Sequence, residues 1–119
     1  MTQSAIQIKI RKAAEGVYIF DIDGEINAQA ESALMDAYTQ VNSAGAKTIL
    51  LNLQNLSYMN SSGIGLLVTL LIRTQRQKQQ LHVCALSEHY RQIFELTRLN
   101  EAIGIYANEA EALATVKQA

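Results

Sequence analysis

The sequence has no proline and no tryptophan, a single cysteine and only two histidines in 119 residues. With Cys84 alone there is neither an internal disulfide nor a thiolate cluster for zinc, and its place in an apolar run reads as a reduced core residue. His82 and His89 carry no metal-ligand pattern of carboxylates around them, so no metal and no cofactor is expected. The missing proline removes slow X-Pro isomerisation from folding. An excess of one charge sign is also lacking. Ten Lys and Arg face eleven Asp and Glu, for a formal net charge of -1, and no basic block stands out, which argues against nucleic acid or an anionic membrane as the main partner. The longest apolar run, Ile64 to Ile72, is interrupted by Gly65 and Thr69 and is less than half of the roughly 20 residues a membrane span needs. Met1 to Ala5 lead into alternating Ile and Lys, not into a basic cap and an apolar stretch. Neither membrane insertion nor a secretory signal is expected, and the chain reads as cytoplasmic.

What is present is enough apolar material for one core: 49% of the residues are hydrophobic, and a chain of this length buries about two-thirds of its unfolded surface. One domain over residues 1–119 is expected, with no linker, repeat or low-complexity segment. Ile6, Ile8 and Ile10 alternate with Gln7, Lys9 and Arg11 as in a half-buried strand, and Val17 to Ile22 reads as a second. The short Ala13 to Gly16 link makes these two an antiparallel hairpin. The period then becomes helical through Ala30, Ala33, Leu34, Ala37, Tyr38 and Val41, with Asn27 as N-cap and Gly45 just past the C-terminus. Thr48 to Leu53 is the near-continuous apolar run of a central strand covered on both faces. A second helix is expected from about Ser61 to Gln79, a fourth strand over Leu81 to Leu86, and a third helix from Ser87, its apolar side formed by Tyr90, Ile93, Phe94 and Leu96. A short strand over Ile103 to Tyr106 and a helix from Asn108 to Lys117 complete the order β-β-α-β-α-β-α-β-α. That alternation implies a mostly parallel five-stranded sheet with the hairpin strand added at an edge.

The segment Leu56 to Leu66 carries the functional signal, because it leaves the carboxyl end of the central strand, where open α/β sheets place their functional groups. Asn60, Ser61 and Ser62 are three strong capping residues where one would serve. Gly63 and Gly65 then give up helix propensity, about 1 kcal/mol each in a helix interior, as a chain does where another backbone or a ligand comes close. The same residues also suit a plain cap with tight helix-to-sheet packing. A hydroxyl in the first turn of a helix sits at the positive end of its dipole and can carry a phosphoryl group. The added charge of about -1.5 to -2 would repel an apolar or acidic partner.

Met59-Asn60-Ser61-Ser62-Gly63-Ile64-Gly65, behind Ile49 to Leu53 and Leu56-Ser57-Tyr58, resembles the phosphorylation segment of STAS domains, specifically bacterial anti-sigma factor antagonists. Asp23-Gly24-Glu25-Ile26-Asn27 resembles that family's turn into the first helix, and Leu81 to Ser87 and Ile93 to Leu99 also fit, so the resemblance spans essentially the whole chain. It implies an α/β, STAS-like single domain with about four helices packed largely on one face of the mixed sheet. It also implies a switch and not a catalyst: binding to an anti-sigma factor that is a serine kinase, release on phosphorylation, and resetting by a cognate phosphatase. Carried over by position, Ser61 is the phosphoacceptor, with Ser62 second, and Gly63 permits close approach. The chain departs from the family pattern at Asn60 and Asn27, where Asp is common. Asn retains the capping geometry without the charge.

The second helix suggests a binding surface. If Ile64, Leu67, Val68, Leu71 and Ile72 face the sheet, then Leu66, Leu70 and Arg73 turn to a flank beside Ser61. The alternative arrangement has the third helix covering Leu66 and Leu70. Among other functions, a serine hydrolase needs glycines flanking its nucleophile at two residues on either side, and Met59 and Asn60 stand where the upstream one should be. A phosphate loop lacks its Gly-Lys-Ser/Thr, leaving only a weak anion nest at Ser-Ser-Gly-Ile-Gly. A receiver-type aspartate switch lacks its acceptor, since Asn52 and Asn60 occupy that region. The remaining alternative is a non-sigma STAS module regulating or scaffolding a signalling or transport complex.

Overall fold

The computed structural model of the protein describes residues 6–117; Met1 to Ala5, read above for the absence of a secretory signal, lie outside the described residues. Five strands run in the spatial order β1-β2-β3-β4-β5. They are β1 (Ile6–Ala14), β2 (Val17–Ile26), β3 (Thr48–Met59), β4 (Gln80–Cys84) and β5 (Gly104–Tyr106), and the helices are α1 (Glu31–Ser43), α2 (Ser61–Arg76), α3 (Glu88–Leu96) and α4 (Glu109–Lys117). The hairpin pairs β1 with β2 antiparallel, and every later pair is parallel. Each strand therefore adds beside its predecessor, and the hairpin strand β1 ends on an edge.

Side-chain alternation divides the sheet between two layers. Phe20, Ile22, Ile49, Leu51, Leu53, Leu81 and Val83 join one large core with Leu34 and Val41 of α1, Leu67 and Leu70 of α2, and Tyr90 and Phe94 of α3. Ile19, Leu50 and Cys84 point the other way, against Ala112 and Leu113 of α4. Three helices thus cover one face and the short α4 part of the other, which accounts for the doubly covered run in β3. On that second face Arg11 of β1 joins Asp21 of β2 (Nη2 to Oδ1, 2.8 Å) to Glu109 of α4 (Nη2 to Oε1, 2.6 Å). The paired guanidinium holds the Asp21 carboxyl below its ordinary pKa.

Several expectations need correction: β2, expected to end at Ile22, runs to Ile26, and Asn27, expected to cap the first helix, caps a 3-10 turn instead, with α1 starting at Glu31. The central strand, expected over Thr48 to Leu53, continues to Met59 because its end pairs with the end of β2. Leu96, placed above on the apolar side of α3, is 85% exposed, since two residues past Phe94 a helix has turned about 200°. Leu66 and Leu70, expected on a partner-binding flank of α2 unless another helix covered them, are both buried, with Leu70 0% exposed. The buried face of α2 is Gly63, Leu66, Leu67, Leu70, Leu71 and Thr74, while Ile72 is 44% exposed and Ile64 and Val68 are half-buried. The helix is rotated from the expected setting because its first turn must present Gly63 to β2, and the rest of the helix follows in phase.

Candidate functional site

The end of the sheet beside α2 is assembled from two chain segments. Between Asp21 and Ile26 the β2–β3 ladder shifts register twice, and Ile26 comes to lie opposite Met59. Gly24, at φ +109°, supplies a backbone conformation that L side chains rarely adopt. The Asn60 N–H donates to the Ile26 carbonyl at 3.3 Å. A Cβ on Gly63 would lie 2.0 Å from that carbonyl oxygen, so the first turn of α2 reaches β2 only because residue 63 has no side chain. Gly65 differs, with open space where its Cβ would be. Of the two glycines read as signals of close approach, only Gly63 has a neighbour that requires it.

Two asparagines then start helices side by side. Asn60 Oδ1 accepts from the Gly63 amide at 2.9 Å and caps α2. Asn27 Oδ1 accepts from the Gln29 amide at 2.9 Å and caps the short 3-10 turn Ala28–Ala30 that precedes α1. Asn27 also donates to Glu25 Oε1 at 3.4 Å. The backbone meeting of Ile26 with Met59, Asn60 and Gly63 brings Asn27, Asn60, Ser61, Ser62 and Gly63 to one end of the sheet. Ser61 and Ser62 are exposed in the first turn of α2, where backbone N–H groups have no intrahelical acceptor and the helix dipole is positive. A phosphoryl group on either hydroxyl would meet favourable charge from the helix itself.

One supporting contact was not expected from the sequence. The Tyr90 hydroxyl, on α3, accepts from the buried Met59 amide at 2.8 Å, so the third helix anchors the strand end immediately before the serines. Tyr90 reads as one apolar residue in an amphipathic helix, and nothing local indicates its polar role. Arg73, grouped above with Leu66 and Leu70, is exposed near the other end of α2.

Neither histidine is arranged as a base for these serines. His82 lies opposite Leu50 in the ladder, on the face of the sheet turned to α4. Its ring meets Tyr106 edge-on at 5.5 Å, and burial lowers its pKa. His89 is exposed, edge-on to Tyr90. Burial, with Glu109 and Asp21 nearby, pushes the Cys84 thiol up to about 11, which suppresses its thiolate. Among the described residues no group of three or more His, Cys, Asp or Glu could hold a metal ion, and no helix is long and apolar enough to cross a membrane.

The family model for the STAS domain matches residues 8–112. A curated relative, the anti-sigma-B factor antagonist of Staphylococcus aureus, is 28% identical over 88 residues, covering 74% of this chain and 82% of the relative. Among solved structures, the Bacillus cell fate determinant SpoIIAA in its phosphorylated form superposes with a TM-score of 0.74 at 22% identity, over 92% of this chain and 99% of that one. A sulfate transporter family protein from Wolinella succinogenes does so with a TM-score of 0.78 at 18% identity, over 91% and 90%. At those identities the two structures establish the fold.

Proposed function

The chain belongs to the STAS domain family, and from that premise we propose that it is a protein-binding regulator of the anti-sigma factor antagonist type, switched by phosphorylation of Ser61. The observation that carries this reading is the seating of α2. Gly63 packs against the Ile26 carbonyl and holds an exposed Ser61 hydroxyl at the positive start of the helix, beside the Asn27 turn. The relative named as an anti-sigma-B factor antagonist and a fold neighbour described as phosphorylated support it. In the unmodified form, this end of the sheet docks in the cytoplasm against an anti-sigma factor that is also a serine kinase. Transfer of a phosphoryl group from nucleotide to Ser61 Oγ, with loss of the hydroxyl proton, adds about two negative charges to the contact and expels the partner. A separate phosphatase restores the hydroxyl. Ser62 is the second candidate acceptor. The domain does no chemistry of its own: it binds and is modified.

The neutral Asn27 and Asn60, where the family commonly has Asp, favour a second reading, a scaffolding STAS module in a signalling or transport complex. Its fold is also that of a sulfate transporter family protein. One experiment separates the two: affinity capture from native extract with wild type, Ser61→Ala and Ser61→Asp, with phosphosite mapping on the wild type. The switch predicts phosphate on Ser61, loss of the main partner from Ser61→Asp and its retention by Ser61→Ala. Equal capture by all three with unmodified Ser61 and Ser62 would leave a constitutive scaffold.

A further inference from the structure

Beyond the serines, the exposed face of α2 continues to its far end. Ser61, Gly65, Thr69, Ile72, Arg73 and Arg76 are all exposed, and at 100° per residue they fall within one third of the helix circumference. From Ser61 to Arg76 the face runs about 22 Å, which fits within the roughly 30 Å width of a standard protein interface. At its end lies a groove of about 370 Å³ between the last turns of α1 and α2, lined by Tyr38, Thr39, Asn42, Arg73, Arg76 and Gln77.

The groove is cationic and its cations are unengaged. No carboxylate is among its lining residues, and neither Arg73 nor Arg76 has an ion pair or side-chain hydrogen bond among the described residues. Arg11, Lys12 and Arg98 are paired, whereas Lys9, Lys47, Lys78 and Arg91 are also without an ion pair among the described residues; what sets Arg73 and Arg76 apart is that the two guanidiniums line one groove. The groove walls are held in place from below. The Tyr38 hydroxyl donates to Gln79 Oε1 at 2.8 Å and lies 3.4 Å from the Arg73 carbonyl. Gln79 Nε2 in turn donates to Asn42 Oδ1 at 2.8 Å and to the Ala46 carbonyl at 3.0 Å. This network ties the two helix ends to the loop before β3 and fixes the spacing of the groove. Two guanidiniums there, with amides and hydroxyls between them, match the donors that carboxylates need.

We infer that this groove is a second anchor for the protein partner, receiving an acidic segment of it while the partner's main contact covers the Ser61 end of the same helix face. The inference rests on the reading of that face as partner-facing, but the groove itself works independently of the phosphorylation state, being about 22 Å from Ser61. The two anchors divide the work. The arginines attract and orient an acidic partner through their charge, and the serine decides whether it stays.

The test uses the whole chain, labelled with 15N, titrated with an acetylated, amidated Glu-Glu-Leu-Glu-Glu peptide at low salt. The inference expects shifts at the Arg73 and Arg76 side-chain Nε signals and at the amides of Tyr38 to Asn42. A Lys-Lys-Leu-Lys-Lys peptide is expected to produce none of them. Arg73→Glu/Arg76→Glu weakens the acidic peptide at least tenfold while the remaining spectrum still reports the native fold. Arg73→Gln/Arg76→Gln gives an intermediate loss, and Ser61→Asp binds as wild type does. Four results would overturn it. These are shifts scattered over Lys9, Lys47 and Arg91, binding unchanged in the double charge reversal, equal occupancy by inorganic phosphate at the same concentration, and preferential sedimentation with phosphatidylglycerol vesicles over peptide binding. Failure of Ser61 phosphorylation would leave these readouts where they are, so the two proposals fail separately.

Discussion

Gly63→Ala isolates the contact on which the site depends. In a helix, replacing Gly by Ala ordinarily stabilises by about 0.5–1 kcal/mol. Here the new methyl would lie 2.0 Å from the Ile26 oxygen, 2.7 Å from its carbonyl carbon and 2.9 Å from Met59 Cγ. The closest ordinary carbon–oxygen approach is about 3.3 Å, so α2 must retreat from β2 by about 1 Å. Both obstructing atoms of Ile26 are backbone inside a sheet and cannot rotate away. The retreat costs about 1–3 kcal/mol in overpacking and about 1 kcal/mol for the strained Asn60 N–H to Ile26 hydrogen bond, offset by the propensity gain. A net loss of about 1–3.5 kcal/mol follows, a sizeable part of a typical stability of about 5–15 kcal/mol. Gly65→Ala is the internal control, two residues away in the same helix with open space at its Cβ, and should gain about 0.5–1 kcal/mol. Urea unfolding followed by far-UV circular dichroism measures both. A neutral or stabilising Gly63→Ala would refute the close approach, and with it the argument that Asn27 and Ser61 share one end of the sheet.

Leu70→Ala should cost about 2–5 kcal/mol as a core truncation, and Leu66→Asp should lose the cooperative urea transition altogether; a folded Leu66→Asp defective only in binding would restore the exposed-flank reading. Tyr90→Phe leaves the buried Met59 amide without its acceptor, a loss of about 1–3 kcal/mol, visible in the urea midpoint and as faster hydrogen exchange at Met59. His82 has its pKa lowered by burial, and its Nδ1 is buried without a partner. The neutral form is therefore the one the fold favours: the contribution is complete above the unfolded pKa of about 6.5 and is lost as pH falls below that toward the folded value. The urea midpoint should drop between pH 7.5 and 5.5, and His82→Gln should flatten that slope.

The architecture was legible because its signals are local. Alternation in β1, helical spacing in α1 and the caps at Asn27, Asn60 and Ser87 each need only neighbouring residues to be read, and the observed element order and parallel pairing follow them. The α2 face was not legible in the same way. A helix apolar nearly all round from Ile64 to Ile72 presents several equally good faces to a core, and periodicity cannot choose among them. That choice was made by the 2.0 Å approach of residue 63 to β2, a contact between segments 37 residues apart in the chain. The extension of β3 to Met59 escaped for a similar reason, since Asn55, Leu56, Tyr58 and Met59 become strand only by pairing with the end of β2.

The sequence by itself therefore determined the order of strands and helices and the placing of Ser61 and Ser62 at the start of α2, because propensity, period and capping act within a few residues. Only the tertiary structure decided which side of α2 is buried, that Tyr90 holds the strand before the serines, and that Arg73 and Arg76 line a groove with Tyr38 of α1. Those outcomes depend on distances between segments that share no local pattern, and they are set by how the helices seat on a sheet whose register shifts between Asp21 and Ile26.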